Sequence, residues 1–234
     1  MARRKKQSKT TSKIRHLITN LNPRSPISEQ YRAIRTNLQF SSVDQELKTI
    51  VVTSSGPSEG KSMTAANLAV VYAQQGKRVL LVDTDLRKPT IHYTFRLDNL
   101  AGLSNILVGE KALENVIVSS EIDNLDLIPC GPIPPNPSEL LASKKMQSTI
   151  QAASEVYDII IFDTPPVLAV TDAQILANIC DGSVLVIKSK DTEVEAAKKA
   201  IETLEQANAR ILGTILNDRE KKASNYYYYY GTSK

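Results

Sequence analysis

Short runs of continuous hydrophobe recur along the chain and alternate with amphipathic stretches. The runs are Thr49–Thr53, Arg78–Val82 with VLLV inside it, Leu125–Pro129, Tyr157–Phe162 (YDIIIF), Ser183–Ile187 (SVLVI) and Ile211–Leu216. A run without polar alternation predicts a strand covered on both faces, the habit of parallel sheets. Between the runs, the pattern predicts a helix opening at Ser28, one over Lys61–Gln75, and others over 138–155, 172–180 and 192–208. Pro26 stands just ahead of the first, where a helix start tolerates it, and Gly76 stands where the second would be capped. Strands alternating with helices in this way predict an α/β fold with a doubly wound, mostly parallel sheet. Ligands of such sheets bind beyond the carboxyl ends of the strands.

The residues with chemical potential all fall there. Ser54-Ser55-Gly56-Pro57-Ser58-Glu59-Gly60-Lys61-Ser62-Met63 joins a predicted strand to a predicted helix. Gly-Lys-Ser at that junction is the core of a phosphate-binding loop: backbone N–H groups cradle phosphates, Lys61 reaches the β- and γ-phosphates, and Ser62 binds Mg²⁺. The strict pattern asks for glycine at 55, where this chain has Ser55, so the first glycine is missing or displaced to Gly56. Asp83-Thr84-Asp85-Leu86-Arg87 follows VLLV, and Asp163-Thr164-Pro165-Pro166 follows IIIF. Carboxylates at the mouth of such a sheet suit Mg²⁺. Asp163 fits the acid that ends an apolar strand beside the loop. In an extended pair, Asp83 and Asp85 point to one side, so one can hold metal while the other accepts a proton from an incoming hydroxyl. These motifs together resemble those of P-loop NTPases of the MinD/ParA-like type, a resemblance that implies the same fold here.

Charge divides the chain. Residues 1–24 carry eight Lys or Arg and no acid; the other 21 basic and 25 acidic residues leave −4, so the arm accounts for the whole net +4. The expected organisation is a basic, disordered arm over 1–25, a catalytic domain over 26–217, and a flexible tyrosine-rich tail over 218–234. The arm is either a solvated tail or an attraction to anionic lipid headgroups. Nucleic acid is not an expected partner, because no aromatic residue interleaves with the charges to give a stacking platform. Cys130 and Cys180 lack a CxxC spacing and read as free thiols, and two histidines make no metal cluster. No apolar run reaches 18 residues, so the expected location is the cytoplasm.

With GPSEGKS at 56–62, LLVDTDLRKP at 80–89, IIIFDTPP at 159–166 and a tyrosine-rich end, the chain resembles the bacterial tyrosine kinases of capsule and exopolysaccharide synthesis over about residues 26–234. The resemblance implies ATP and Mg²⁺ as cofactors, with residues 56–63 around the nucleotide, and Ser62, Asp85 and Asp163 around the metal. It implies Lys61, Asp83 and Asp85 as catalytic residues, with Asp83 the candidate base toward tyrosine. Asn217, at the end of the last strand, is a candidate contact for adenine. Glu29, Arg32 and Arg35 match a Glu-x-x-Arg-x-x-Arg helix that joins subunits of that family into a ring; without the family they would read as an ordinary charged helix face. The family also implies a membrane adaptor of the polysaccharide chain-length type that recruits the kinase to the inner face of the cell membrane. A cognate tyrosine phosphatase and other protein substrates are further partners.

Tyr226, Tyr227, Tyr228, Tyr229 and Tyr230 are five of the nine tyrosines. Adjacent phenols alternate direction in any extended chain, so no single face buries them all. They are expected as phosphoacceptors, delivered in cis or in trans; the rival use is a recognition tail of aromatic anchors. Two other functions remain open at this stage: a positioning ATPase of the same fold, and a scaffold switched by nucleotide. Against the ATPase stands Gly56, at the place where such relatives usually carry a second lysine.

Overall fold

The computed structural model describes residues 17–41 and 46–220. Its strands form one sheet: β1 (Thr49–Ser54), β2 (Val79–Asp83), β3 (Val118–Ser119), β4 (Leu125–Ile128), β5 (Ile159–Asp163), β6 (Gly182–Lys188) and β7 (Ile211–Asn217). They lie in the order β3-β4-β2-β5-β1-β6-β7, and each neighbouring pair is parallel except β3 with β4. The connection after β1 runs toward one edge and the connection after β5 toward the other. That divergence opens a crevice at the carboxyl ends of the central strands.

Consecutive residues of the central strands feed two separate cores. Ile50, Val52, Leu81 and Ile161 pack with helix α3 (Lys61–Ala73). Val51, Leu80, Val82, Ile160 and Phe162 pack on the opposite face with α7 (Lys144–Val156), α8 (Asp172–Ile179) and α9 (Val194–Gln206). Both faces are dry, which is the physical reason these runs lack polar alternation.

Helix α3 is buried on every side from Thr64 to Ala73 because a further layer, α1 (Ile18–Leu21) and α2 (Pro26–Phe40), covers it. The Thr19 amide and hydroxyl both donate to Asn67 Oδ1, at 3.1 and 2.8 Å, and Gln74 Nε2 donates to the Thr19 carbonyl at 2.9 Å. Residues 17–25, which composition assigns to the basic arm, are therefore part of the domain. Few of them are apolar; they are ordered by polar contacts to a helix far away in sequence. Residues 1–16 of the arm lie outside the described residues.

Element ends depart from the pattern for local reasons. Helix α2 begins at Pro26, two residues early, because Ser25 Oγ accepts the Ser28 N–H at 3.1 Å and proline fills the first turn. The stretch 138–155 is two helices, α6 (Pro137–Leu141) and α7, parted at Ser143, whose Oγ accepts the Met146 N–H at 3.2 Å. Helix α3 stops at Ala73, and the three residues to Gly76 form turns. The short helices α4 (Ile91–Phe95) and α5 (Leu103–Leu107), like β3, are too brief to show a period in the sequence. Cys130 is buried and Cys180 half-buried, both as free thiols. Among the described residues no helix is long and apolar enough to cross a membrane.

Candidate nucleotide-binding and catalytic site

The loop 54–60 leaves β1 at the centre of the sheet and turns directly into α3. The first helical bond runs from the Thr64 N–H to the Gly60 carbonyl at 2.9 Å. Helix geometry therefore leaves the Lys61, Ser62 and Met63 N–H groups without intrahelical acceptors, at the positive end of a 13-residue helix. Gly56 is half-buried, Pro57 and Ser58 are exposed, and Ser58 is held at φ 64°. Gly60 adopts φ 95°, and a Cβ on it would lie 2.0 Å from Asn217 Nδ2. Only glycine satisfies both the backbone and the space at that position.

Lys61 crosses the mouth of the sheet. Its Nζ lies 3.1 Å from Asp85 Oδ2, 3.6 Å from Asp163 Oδ1 and 3.3 Å from Ser62 Oγ. Burial disfavours its charge, but Asp163 and Asp85 outweigh that and raise its pKa, so it is an ammonium at neutral pH. Asp83 and Asp163 end neighbouring strands in direct register. Two threonines stitch these ends together: Thr84 donates from Oγ1 to the Asp163 carbonyl at 2.8 Å, and Thr164 from Oγ1 to the Val52 carbonyl at 3.1 Å.

The three acids have different tasks. Asp83 is fully buried; its Oδ2 accepts the Thr90 and Ile91 N–H groups, each at 2.9 Å, where α4 begins. Its Oδ1 has no partner. Burial and then the Asp163 charge push its pKa up against those two hydrogen bonds. Asp85 lies beyond the end of β2, taking the Lys88 N–H at 3.0 Å on Oδ1 and Lys61 on Oδ2. β2 ends at Asp83, and Asp85 follows two residues later, just before the bend at residues 86–88; Asp83 is engaged by the start of α4 and Asp85 by Lys61. Asp163 is fully buried; its oxygens make no close hydrogen bond, and their polar neighbours are Lys61, 3.6 Å from Oδ1, and the Ser62 side chain. Burial raises its pKa, and the Lys61 ammonium opposes the rise.

Buried carboxylate oxygens without partners are costly unless a cation takes them. Asp163, Asp85 and Ser62 Oγ converge on Lys61 as a hard-oxygen donor set, of the small kind that Mg²⁺ supplements with waters and phosphate oxygens. No group of three or more His, Cys, Asp or Glu side chains suited to a metal occurs among the described residues.

Two residues expected at the nucleotide turn their polar groups inward. Glu59 is buried: Oε2 accepts the Ser55 N–H at 2.8 Å, and Oε1 accepts the Thr192 hydroxyl at 2.6 Å. Asn217 donates from Nδ2 to the Glu59 carbonyl at 2.9 Å, so this amide holds the backbone of the loop. A further clamp holds the loop after β2. Arg87 Nε and Nη2 grip the buried Asp172 at 3.0 and 3.2 Å, and Ser138 Oγ donates to the same carboxylate at 2.6 Å. This ties the loop bearing Asp85 to α6 and α8; a lone arginine after an acid pair gives no sequence signal of it.

Glu29, Arg32 and Arg35 share α2. Glu29 and Arg32 are ion-paired within the chain, Arg32 also donates to the Pro23 carbonyl at 2.7 Å, and Arg35 donates to the Val71 carbonyl at 2.8 Å. Tyr226 to Tyr230 lie outside the described residues.

A crevice with a phosphate-cradling loop, an ammonium and strand-end carboxylates defines a P-loop nucleotide-binding protein. A sequence model described as an AAA domain matches residues 47–217. Tyrosine-protein kinase YwqD of Bacillus subtilis is 53% identical over 93% of this chain and 92% of its own length. CapB of Staphylococcus aureus is 43% identical over 96% and 99%. Among solved structures, the kinase domain of the Escherichia coli tyrosine kinase ETK superposes with a TM-score of 0.86 at 35% identity, over 97% of this chain and 86% of that one. The septum site-determining protein MinD of Pyrococcus horikoshii, complexed with Mg-ADP, gives 0.63 at 25% identity over 73% and 70%. The chain belongs to the bacterial tyrosine-protein kinases, built on the MinD-like P-loop fold.

Proposed function

We propose that this kinase uses ATP and Mg²⁺ to phosphorylate Tyr226 to Tyr230 of its own chain, and that it acts in the control of capsular or extracellular polysaccharide synthesis. The observation that carries the proposal is Asn217 against the Glu59 carbonyl at 2.9 Å. It sets the origin of the tail beside the phosphate loop, and Tyr226 follows nine residues later, within about 30 Å of extended chain. That reach serves a neighbouring subunit or the same one.

In the proposed site the Lys61 ammonium and the N–H groups of residues 60–63 neutralise the phosphates, while Ser62, Asp85 and Asp163 hold Mg²⁺. The metal, when bound, supplies positive charge to the bridging and transferring phosphate oxygens. Lys61 pairs with Asp85 and Asp163 in this structure, and with a cation held by those carboxylates its ammonium would be available to phosphate. Asp83 Oδ1, the oxygen without a partner, is the proposed acceptor of the phenolic proton. Arg87 and Asp172 hold the 84–89 loop in place meanwhile.

The proposal includes a homo-oligomer, a ring joined through Glu29, Arg32 and Arg35. It also includes recruitment from the cytoplasm to the inner face of the cell membrane by an adaptor of the polysaccharide chain-length type, and reversal by a tyrosine phosphatase. Incubation of the full chain with an adaptor fragment and γ-labelled ATP, followed by mass spectrometry, tests the reading. Phosphate is expected on the 226–230 peptide and absent in Lys61→Met. Free phosphate with no labelled tyrosine would instead make the chain a positioning ATPase.

A further inference from the structure

We propose that Glu59 is a positioning residue for the phosphate loop, and that Thr192 fixes it in place. The inference rests on the reading of residues 54–62 as an ATP site.

The loop departs from the strict pattern at Ser55, and the structure shows what holds it there. Ser54 Oγ donates to the Gly56 carbonyl at 2.7 Å, and Glu59 Oε2 accepts the Ser55 N–H at 2.8 Å. Together these close a ring across residues 54–59. Ser58, inside it, sits at φ 64°, a conformation that costs a non-glycine residue energy and persists only where the surroundings over-determine it. The other oxygen of Glu59 accepts the Thr192 hydroxyl at 2.6 Å, and Thr192 Oγ1 in turn accepts the Lys188 N–H at 2.8 Å. The chain of bonds therefore runs from the phosphate loop to the turn that follows β6. Asn217, at the end of β7, fastens the carbonyl of the same residue. At Glu59, then, the turn after β6 and the end of β7 both hold the loop that begins at β1.

Its chemistry is otherwise paradoxical. A carboxylate in a loop that receives a polyphosphate opposes the ligand's charge. Glu59 is buried, with both oxygens engaged inside the protein, so geometry and not charge explains its presence. A glutamine keeps both links with one reversed: its carbonyl oxygen accepts the Ser55 N–H, and its amide donates to Thr192 Oγ1, whose second lone pair still takes the Lys188 N–H while its hydroxyl hydrogen turns elsewhere.

The experiment compares wild type, Glu59→Gln, Glu59→Ala, Thr192→Val and the Glu59→Ala/Thr192→Val pair in the full chain. Two readouts are used: calorimetric binding of Mg-ADP, and amide exchange of the 54–62 peptide without ligand. Glu59→Ala is expected to weaken Mg-ADP at least tenfold and to speed exchange of that peptide, while the 211–217 peptide exchanges as in wild type. Glu59→Gln is expected to bind as tightly as wild type or tighter, with wild-type exchange. Thr192→Val is expected to fall between, and the double variant to be no worse than Glu59→Ala, because the two act through one link. In kinase assays the alanine effect is expected in KM for ATP more than in kcat. Equal affinity for wild type and Glu59→Ala overturns the positioning role. Glutamine as damaging as alanine overturns it too, by making the charge the required property. A wild-type chain without affinity for Mg-ADP overturns the ATP-site reading and this inference together, an outcome distinct from both others.

Discussion

Asp83 and Asp163 end adjacent parallel strands in direct register, two fully buried carboxylates on one side of the sheet with a single ammonium, Lys61, within reach. The arrangement is stable only while the negative charge is balanced. Asp83 is offset in part by two backbone amides, and Asp163 by the Lys61 ammonium and the Ser62 side chain.

Removing that ammonium is expected to damage both chemistry and stability. Lys61→Met leaves Asp85 and Asp163 buried without a counter-charge, a loss on the order of 3–5 kcal/mol for a broken buried pair. Thermal unfolding of the ligand-free variant is expected to fall accordingly, and phosphotyrosine formation to drop by about 10²-fold or more. A variant with wild-type stability would place those carboxylates in contact with water.

Asp163→Asn is expected to move stability in opposite directions with and without metal. The ligand-free variant gains, because a buried charge disappears. Wild type is expected to gain about 2.7 kcal/mol at 100-fold saturation with Mg-ADP, and the variant to lose the Mg²⁺-dependent part of that gain. Differential scanning calorimetry with and without Mg²⁺ measures both.

Alkaline stability is expected to report Tyr157. Its phenol donates to Asp126 Oδ2 at 2.8 Å, and burial, then Asp126, raises its pKa above the ordinary phenol value. The folded state then binds the proton more tightly than the unfolded one, so the contribution is complete below about pH 10 and is lost as pH rises further toward the folded value. Tyr157→Phe is expected to cost about 1 kcal/mol at pH 8, with the difference from wild type shrinking above pH 10. Denaturant titrations at pH 8 and 11 test this.

The α2 residues separate folding from assembly. Arg35 caps a carbonyl in the last turn of α3, so Arg35→Ala is expected to lower monomer stability by about 1–2 kcal/mol. Glu29 is exposed and its pair with Arg32 lies at the surface, so Glu29→Ala is expected to change stability by less than about 1 kcal/mol. If the ring forms through α2, Glu29→Ala nevertheless lowers the sedimentation coefficient. An unchanged oligomer would confine these residues to the monomer.

Particular residues show how far the chain could be read before it was seen folded. Lys61, Ser62, Asp85 and Asp163 were legible because each sits where a strand or loop changes state, and strand and helix periods are local properties of sequence. The contacts of Glu59 and Asn217 within the chain carry no such local signal. Their partners, Thr192 for one and the Glu59 carbonyl for the other, lie more than a hundred residues away in the chain. The 17–25 segment was misread for the same reason, since Asn67 and Gln74 order it from α3.

By itself, then, the sequence determined the parallel α/β architecture, the position of the phosphate loop and which acids stand at strand ends, because hydrophobic period and strand–loop–helix order are written in consecutive residues. Only the tertiary structure decided which oxygen of each acid is occupied. It alone showed that Asp163 is fully buried against Lys61, and that Glu59 and Asn217 hold the loop from within. Those facts depend on groups brought together from distant strands, where hydrogen bonds and burial are settled by packing and carry no spacing of their own.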